Sequence, residues 1–418
     1  MKVLHITTID TGGAYKAAYR LHKSLQLQEV ESEILVRTKL NQESEVKEAF
    51  GNPVGAFVSN GKNAINMLFS KGEITFDRFG TDLARHPLVR EASILVLHWI
   101  NSFLSYKDIE KLGQLGKPMI WVMHDMWLFT GGCHVDGYCG KYDRGCGNCP
   151  LIPGEKEMDL SRRNFILKTE LFRKLNVTVI GPSKWIVEQA GRSGILHGKK
   201  IIYIANALDT ALFSPVSDRE KLRRKYGIVQ NKKVILFGAA DNGTENENKG
   251  FRFLRQAFQY LEVDKYILLI FGNTARNLDL PGELEVIRAG YVTEEDKMNE
   301  LYNAADVLVN PSSQESFGYT VCEAMACGTP AVGFPIGGIK EQIVHKENGY
   351  LARYHDPEDL AEGIKYCIKY RDVLGVKAYQ AAQGYSYKYI GGRYKEVIMR
   401  RAGYEDKRKN KRHDCKRI

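Results

Sequence analysis

Short, almost wholly apolar runs recur along this chain, and a longer amphipathic stretch follows nearly every one. In the first half the runs are Val3–Thr8, Ile34–Thr38, Ile94–Trp99, Met119–His124, Val177–Pro182 and Ile201–Asn206. In the second half they are Val234–Ala239, Ile267–Gly272, Val307–Asn310, Ala331–Phe334 and Tyr350–Ala352. Most lack strict apolar–polar alternation. A strand reads this way when both faces are buried, as in a parallel sheet between layers of helices. Strands alternating with helical stretches make βαβ units, so the fold class is α/β. Two sets of such units predict two Rossmann-like, doubly wound domains. The length of 418 residues agrees, since single cores seldom grow beyond ~250–300 residues.

The pattern also sets boundaries. An N-terminal domain is expected over 1–206, with a cysteine-rich insert at 131–150. A C-terminal domain is expected over 207–384, with the join near Asn206–Pro215 and a charged helical stretch, Asp218–Tyr226, opening it. Tyr385–Met399 is the last amphipathic stretch and predicts a terminal helix over 385–400. Residues 401–418 are polar and basic without apolar periodicity, and a disordered tail is expected there.

Charge narrows the partners. Lys and Arg number 60 against 50 Asp and Glu, a net charge of +10. From Arg400 to Ile418 there are nine basic and three acidic residues, so the tail holds +6 and the body only +4. That body excess is a poor footprint for nucleic acid, and no nucleic-acid partner is expected. It suits a smaller anion such as a phosphorylated ligand. The tail suits an anionic membrane surface, at about 1 kcal/mol per basic residue near the lipid, or simply a solubilising end. No apolar stretch approaches the ~20 residues of a membrane span, and Met1–Ile6 has no features of a signal peptide. A cytoplasmic protein is expected, peripheral at the inner face of the membrane if the tail binds lipid.

Two motifs carry phosphate chemistry. Gly12-Gly13 follows the first strand, where a glycine pair lets backbone N–H groups approach an anion at a helix start. The dinucleotide fingerprint G-x-G-x-x-G is absent. The second motif runs from Asn310 to Pro330. Ser316 is the expected N-cap of a helix over Phe317–Ala326, and Gly328 with Pro330 is its stop. The N–H groups of Gly318, Tyr319 and Thr320 would face an anion. Glu315 and Glu323 flank that helix start, each suited to sugar hydroxyls.

This second motif, P-S-x-x-E-S-F-G-x-x-x-x-E-A-M-A-x-G-x-P-A-V, resembles the signature of retaining glycosyltransferases of family 4, the group 1 glycosyl transferases. Gly12-Gly13, Lys249-Gly250, Gly290-Tyr291-Val292, Leu301–Val307, Gly337-Gly338 with Glu341, and Asn348-Gly349 extend the similarity over most of residues 1–400. The resemblance implies the GT-B architecture of two facing Rossmann-like domains, with the terminal helix crossing back to the first. It implies transfer of a sugar from a UDP-, GDP- or ADP-linked donor to a glycan or lipid-linked glycan, with retention of configuration and no catalytic metal. In these terms Glu315 would hold donor-sugar hydroxyls, and Ser316, Phe317, Gly318 and Tyr319 would embrace sugar and diphosphate. Glu323 would bind the ribose, Lys249 would neutralise the diphosphate, and Gly12 and Gly13 would border it. Tyr291 and Val292 would pass the base, and His124 would stand near the reacting carbon. One departure is that relatives often carry an Arg a few residues before Lys-Gly, whereas here the loop reads Gly238-Ala-Ala-Asp-Asn-Gly243, with Arg252 as the nearby cation.

Cys133-x5-Cys139-x6-Cys146-x2-Cys149 places four thiols within 17 residues among four glycines. That set suits a tetrahedral structural zinc, with His134 available in place of one cysteine. Reduced thiols in a glycine-rich loop, or one local disulfide, are the other readings. A similar insert after His-Asp occurs in a bacterial surface-polysaccharide subgroup of the resembled family. Trp121, Trp127 and Trp185 are either cleft aromatics or core residues, with core packing the favoured reading. His98 is either a cleft residue or a satisfied core histidine. The competing functions are a non-catalytic nucleotide-sugar binding protein of the same fold and a nucleotide-sugar epimerase.

Overall fold

Seven strands of the first half form one sheet: β1 (Lys2–Ile9), β2 (Glu31–Thr38), β3 (Val46–Glu48), β4 (Ile94–Leu97), β5 (Met119–Val122), β6 (Val177–Gly181) and β7 (Lys200–Tyr203). Their order is β3-β2-β1-β4-β5-β6-β7, and every pairing is parallel. Six strands of the second half form another: β8 (Lys233–Gly238), β9 (Tyr266–Phe271), β10 (Glu285–Gly290), β11 (Val307–Asn310), β12 (Ala331–Gly333) and β13 (Gly349–Leu351). Their order is β10-β9-β8-β11-β12-β13, again all parallel. These coordinates are a computed structural model describing residues 1–418 except 52, 71–73, 155, 229–230, 239–243 and 404–418.

By its internal contacts the chain forms two units. Among the described residues, one comprises Met1–Gly181, Val187–Ile204 and 387–403; the other comprises Pro182–Ile186 and Ala205–Ser386. In each sheet the strand order reverses once, between β1 and β4 and between β8 and β11. The crevice beyond the carboxyl ends of the strands at such a reversal is where open α/β sheets take their ligands.

The core strands are buried on both faces, as their continuous apolar runs require: β4, β5 and β11 are buried at every residue. The apolar runs do not reveal β3 and β10. Both are edge strands with a single neighbour, and their sequences, Val-Lys-Glu and Glu-Val-Ile-Arg-Ala-Gly, mix charge into the run. An edge strand left partly in water has no need of an apolar run.

A helix at Pro53–Phe69 was also not predicted, and its amphipathicity is inverted. Its inward face is polar: Ser59 and Asn66 are buried. The Asn66 amide donates to Phe79 O at 2.7 Å and accepts from the N–H groups of Arg78 and Phe79 at 3.2 and 3.1 Å. Its outward face carries Val54, Phe57, Val58, Ile65 and Leu68, with Phe57 78% exposed. The positions 54, 57, 58, 65 and 68 follow helical spacing, so they form one apolar stripe. No helix among the described residues is long and apolar enough to cross a membrane.

The terminal helix is Tyr387–Arg401, two residues later than the predicted start, because Gln383–Tyr385 forms a separate 3-10 turn. It packs within the first unit on the helix Gly12–Gln26. Gly391 allows the approach, since a Cβ there would stand 2.4 Å from Ser24 O. Arg393 and Lys395 donate to the carbonyls of Tyr203 and Gln28 at 2.8 and 2.7 Å. The basic tail lies outside the described residues from 404 on.

In the second unit Asp306, just before β11, is buried and accepts from Arg219 at 2.8 Å, Arg223 at 2.5 Å and the N–H of Val234 at 2.7 Å. Burial alone would raise its pKa, but the two guanidiniums outweigh it and hold the carboxyl below its ordinary value. This buried pairing fixes β8 against β11, the strands that bracket the reversal in sheet order.

Candidate functional site

The candidate residues fall into two groups, one in each unit. In the second unit, Lys249 ends a 3-10 turn, Glu247–Lys249, that follows β8. Gly250 then turns the chain with φ +70°, and a Cβ there would stand 1.9 Å from Pro311 O, so only glycine fits. Asn248 latches this turn onto the loop after β11: its amide donates to Gln314 O at 2.9 Å, its side-chain oxygen accepts from Gln314 N at 2.9 Å, and its carbonyl accepts from Ser313 N at 2.8 Å. The Lys249 ammonium is thereby held over the same loop, where it donates to Glu315 Oε2 at 3.0 Å. Gly337-Gly338 closes on the loop from the other side. Gly338 N–H donates to Glu315 O at 3.0 Å, and a Cβ on Gly337 would meet that oxygen at 1.8 Å. The lysine and the carboxylate are thus positioned by backbone packing at both ends.

The helix after this loop differs from expectation. It runs Tyr319–Ala326, and its N-cap is Gly318 with φ +89°, not Ser316. The physical reason is Phe317, whose ring is buried edge-on to Tyr319 and Tyr385 with centroids 5.1 and 5.7 Å away. Carrying that ring inward requires a left-handed residue next, and glycine supplies it. Ser316 stays part-exposed in the loop. Tyr319 Oη donates to Ala207 O at 3.3 Å. Glu323 lies inside the helix with only 1% of its surface exposed, and Tyr302 Oη donates to its Oε2 at 2.6 Å. Tyr291 and Val292 follow the end of β10, with Tyr291 half-exposed.

The loop 239–243, where relatives often carry an arginine, lies outside the described residues, and Arg252 is 3.7 Å from Glu247 and stacks on Phe253. His355 is a residue that sequence reasoning missed. It stacks on Phe253 and Tyr354, and its Nε2 lies 3.1 Å from Oγ of Ser313, whose own N–H is part of the Asn248 latch. Its only sequence signal is its place after the last strand.

In the first unit, Gly12 and Gly13 open the helix that follows β1. Gly12 has φ +81°, both residues are exposed, and nothing lies within 4 Å of a Cβ built on either. The backbone at this helix start is therefore open to a ligand. His124 stands just beyond β5, and its Nε2 lies 2.9 Å from His98 Nδ1. The surrounding protein pushes its pKa down to about 4, against a smaller opposing pull from Asp125, so the ring is neutral near pH 7. His98 is buried and lies 2.9 Å from His5, so it is not exposed to solvent. Asp125 Oδ2 accepts from Trp99 Nε1 at 3.1 Å and lies 2.6 Å from His134 Nδ1, while Oδ1 caps Trp127 N at 2.8 Å.

The cysteine segment packs on the helix Leu160–Lys174. Cys133, Cys139, Cys146 and Cys149 are all free thiols and line one small cavity of about 20 Å³. That volume holds about one water-sized particle. Gly131 N–H donates to Cys146 Sγ at 3.2 Å, and Cys146, Gly147 and Asn148 all have positive φ. Burial raises the Cys133 and Cys146 thiols to about 12 and 11. As they stand, no three His, Cys, Asp or Glu side chains among the described residues are arranged to hold a metal ion. Beside this cavity Lys168 is buried. Its ammonium donates to the carbonyls of Trp127 and Thr130 and lies 3.5 Å from the Trp127 ring centroid. Burial brings its pKa down to about 7. Trp121 and Trp127 are core residues, whereas Trp185 is only part-buried.

Residues 232–369 match the family model described as glycosyl transferases group 1. An uncharacterized glycosyltransferase of Methanocaldococcus jannaschii is 35% identical over 281 residues, covering 63% of this chain and 70% of that relative. The chain belongs to the group 1 glycosyltransferases. A colanic acid biosynthesis glycosyltransferase of Escherichia coli K12, WcaC, described as putative, is 25% identical to this glycosyltransferase over 279 residues, 63% of each chain. Two D-inositol 3-phosphate glycosyltransferases are matched over only 45% and 63% of their length. Among solved structures, HepE of Anabaena in complex with UDP and glucose superposes with a TM-score of 0.65 at 18% identity, covering 95% of this glycosyltransferase and 99% of HepE. That likeness, with the two parallel sheets, gives this glycosyltransferase the GT-B fold.

Proposed function

We propose that this chain is a retaining glycosyltransferase that moves a sugar from a nucleoside diphosphate to a hydroxyl of a glycan or lipid-linked glycan, in the synthesis of a cell-surface polysaccharide. The observation that carries the reading is the Lys249–Glu315 pair, held by the Asn248 latch and Gly337-Gly338 at the carboxyl ends of β8 and β11. A cation and a carboxylate at the reversal of a doubly wound sheet suit a ligand that is part diphosphate and part polyol. The WcaC match supports a polysaccharide product, and the HepE complex supports a nucleotide-linked donor.

The chemical problem is the departure of a charged diphosphate from a sugar that becomes oxocarbenium-like. Groups that meet the developing charge lower that barrier. Lys249 is the fixed cation for it, and the backbone around Gly318 and at Gly12-Gly13 would add dipoles of the right sign. No metal ion is required in this scheme. Glu315, released from Lys249 by the incoming phosphate, is free to accept from sugar hydroxyls. Ser316 lies beside it, and Phe317 and Tyr319 fix the turn that presents these groups. Glu323 would serve the ribose once its Tyr302 bond is shared or broken, and Tyr291 and Val292 would border the base. His124 would serve the donor sugar, as the resemblance implies. No protein nucleophile is invoked: the leaving phosphate takes the proton of the acceptor hydroxyl as the new bond forms on the same face of the sugar.

The cysteine cluster is proposed to take one structural zinc. The donor set fits, since four thiols share one ion-sized cavity and Gly131 donates to Cys146 Sγ. Lys168 is placed to offset the negative charge of a tetrathiolate. Loading requires the thiols to turn from their present positions. A membrane-facing acceptor side finds support in the apolar stripe of the helix Pro53–Phe69. The basic tail would add electrostatic attraction to anionic lipid. The test of the reaction type is the anomeric configuration of the first product by NMR: retention supports the proposal, and inversion refutes it.

A further inference from the structure

Three histidines of the first unit form a continuous hydrogen-bonded row. His5 lies within β1, His98 just beyond β4, and His124 just beyond β5, on three strands adjacent in the sheet. His5 Nδ1 is 2.9 Å from His98 Nε2, and His98 Nδ1 is 2.9 Å from His124 Nε2. His5 and His98 are buried, and His124 is part-buried.

A neutral imidazole has one N–H and one bare nitrogen. Two successive ring-to-ring bonds therefore force a direction on the row, because His98 must donate at one nitrogen and accept at the other. If the row runs from His124 to His5, then His5 must carry its proton on Nε2. That nitrogen meets no hydrogen-bond partner among the described residues and is shut off from water. The orientation would bury an unpaired N–H, which folded proteins seldom tolerate. In the opposite direction His5 donates from Nδ1 to His98, His98 donates from Nδ1 to His124, and only a bare lone pair is left on His5 Nε2. The neighbouring His22 ring stands edge-on to His5 at 6.2 Å and is engaged with Ser32 Oγ at 2.8 Å and Glu45 at 3.4 Å. It does not supply His5 with an acceptor.

We infer that His5 and His98 are positioning residues that fix His124 as the Nδ1–H tautomer, so that the ring presents a hydrogen-bond donor to the bound ligand. The consequence is chemical. With Nε2 occupied by His98 and Nδ1 carrying a proton, His124 has no lone pair left for a general base. It acts as a neutral donor, suited to a sugar hydroxyl or to an oxygen on which charge develops, and it neither gains nor loses a proton in the cycle. The ligand in this statement rests on the function proposed above; the tautomer does not.

The experiment is a long-range proton–nitrogen NMR spectrum of the full chain labelled with 15N-histidine at pH 7.5, with signals assigned by single substitution at each of the three histidines. The expected spectrum has His124 Nδ1 protonated and Nε2 bare. His98→Leu is expected to leave His124 as a mixture of tautomers and to lower kcat for nucleotide release by about tenfold or more, with KM changed less. His98→Asn, whose amide can stand in for Nδ1–H, is expected to restore the Nδ1–H form and part of kcat. A wild-type spectrum with the proton on His124 Nε2 overturns the inference, as does a His98→Leu variant with an unaltered His124 signal and wild-type kcat. If His98→Leu does not fold, the wild-type tautomer decides alone. Absence of turnover with every donor, alongside the expected tautomer, counts against the proposed function and leaves the positioning of His124 standing.

Discussion

The ammonium of Lys249 donates to the Glu315 carboxylate at 3.0 Å, joining two loops that are 66 residues apart in sequence. Their side chains are 34% and 21% exposed, so the pair adds at most about 1 kcal/mol to stability. Its worth lies in placement. A diphosphate competing for Lys249 gains a charge-assisted bond of about 1.5–3 kcal/mol. Lys249→Ala should therefore weaken nucleoside diphosphate binding about tenfold or more by calorimetry. Glu315→Ala should bind the diphosphate about as well as the parent while losing about 100-fold in kcat/KM. Neither change should move the melting temperature by more than about 2 °C. Equal loss of diphosphate binding in both variants would contradict the division of labour.

The histidine row makes the first unit sensitive to acid. Burial, the largest cause, depresses His5 and His98 well below the ordinary histidine value, and the neighbouring rings add to it. His124 falls to about 4, with Asp125 pulling the other way, and at the far end Glu45 partly restores His22. All three rings of the row thus bind a proton less readily folded than unfolded. As pH drops below about 6.5 the unfolded chain takes up protons first, so stability is full above that value and declines beneath it. Chemical denaturation between pH 7.5 and 5 should show this decline. His5→Leu together with His98→Leu should flatten it, and an unchanged slope would show that the row does not set it.

The thiol cavity gives a metal test. Protein purified without chelator should retain about one zinc per chain after dialysis, measured by elemental analysis. Removing the metal, or Cys146→Ser, should lower the melting temperature by several degrees, by about 2–5 kcal/mol in stability. Metal-free chain with the full melting temperature would leave the cluster as reduced thiols.

Phe57 and Leu68 project from the inverted helix Pro53–Phe69, which carries a single charge, Lys62, among its 17 residues. Phe57→Ser with Leu68→Ser removes roughly 3–5 kcal/mol of apolar transfer energy from the stripe proposed to face lipid. Cosedimentation with anionic vesicles should drop sharply, with no loss of stability, since both side chains are exposed. Deleting residues 404–418 should have the smaller effect. Wild-type vesicle binding in the double variant would exclude this face.

The sequence carried the fold where burial was complete. β4, β5 and β11 read as strands because both faces are covered, and that also gave the two-sheet plan. The edges β3 and β10 were illegible because charge enters the run, whereas the equally unpaired edges β7 and β13 keep a short apolar core that reads as a strand. The helix Pro53–Phe69 was illegible because its polar residues face inward, contrary to the rule that locates a surface helix. In the candidate site, Glu315, Lys249 and Gly337-Gly338 were legible by motif and are adjacent in space. Ser316 was misread as a cap because its hydroxyl suits one, while the buried Phe317 ring moves the helix start to Gly318. The ends of the row His5–His98–His124 lie 119 positions apart in the chain, and only the pairing of β1 with β4 and β4 with β5 joins them.

Nucleotide release reads out transfer from a nucleoside diphosphate sugar without knowledge of the product. The intact chain, with an acceptor mixture of glycans and lipid-linked glycans, is assayed against UDP-, GDP- and ADP-linked sugars, with Glu315→Ala alongside. Release above background is expected from at least one donor, dependent on acceptor, and is expected to be lost in Glu315→Ala. Background release from every donor, or undiminished release by Glu315→Ala, would contradict it.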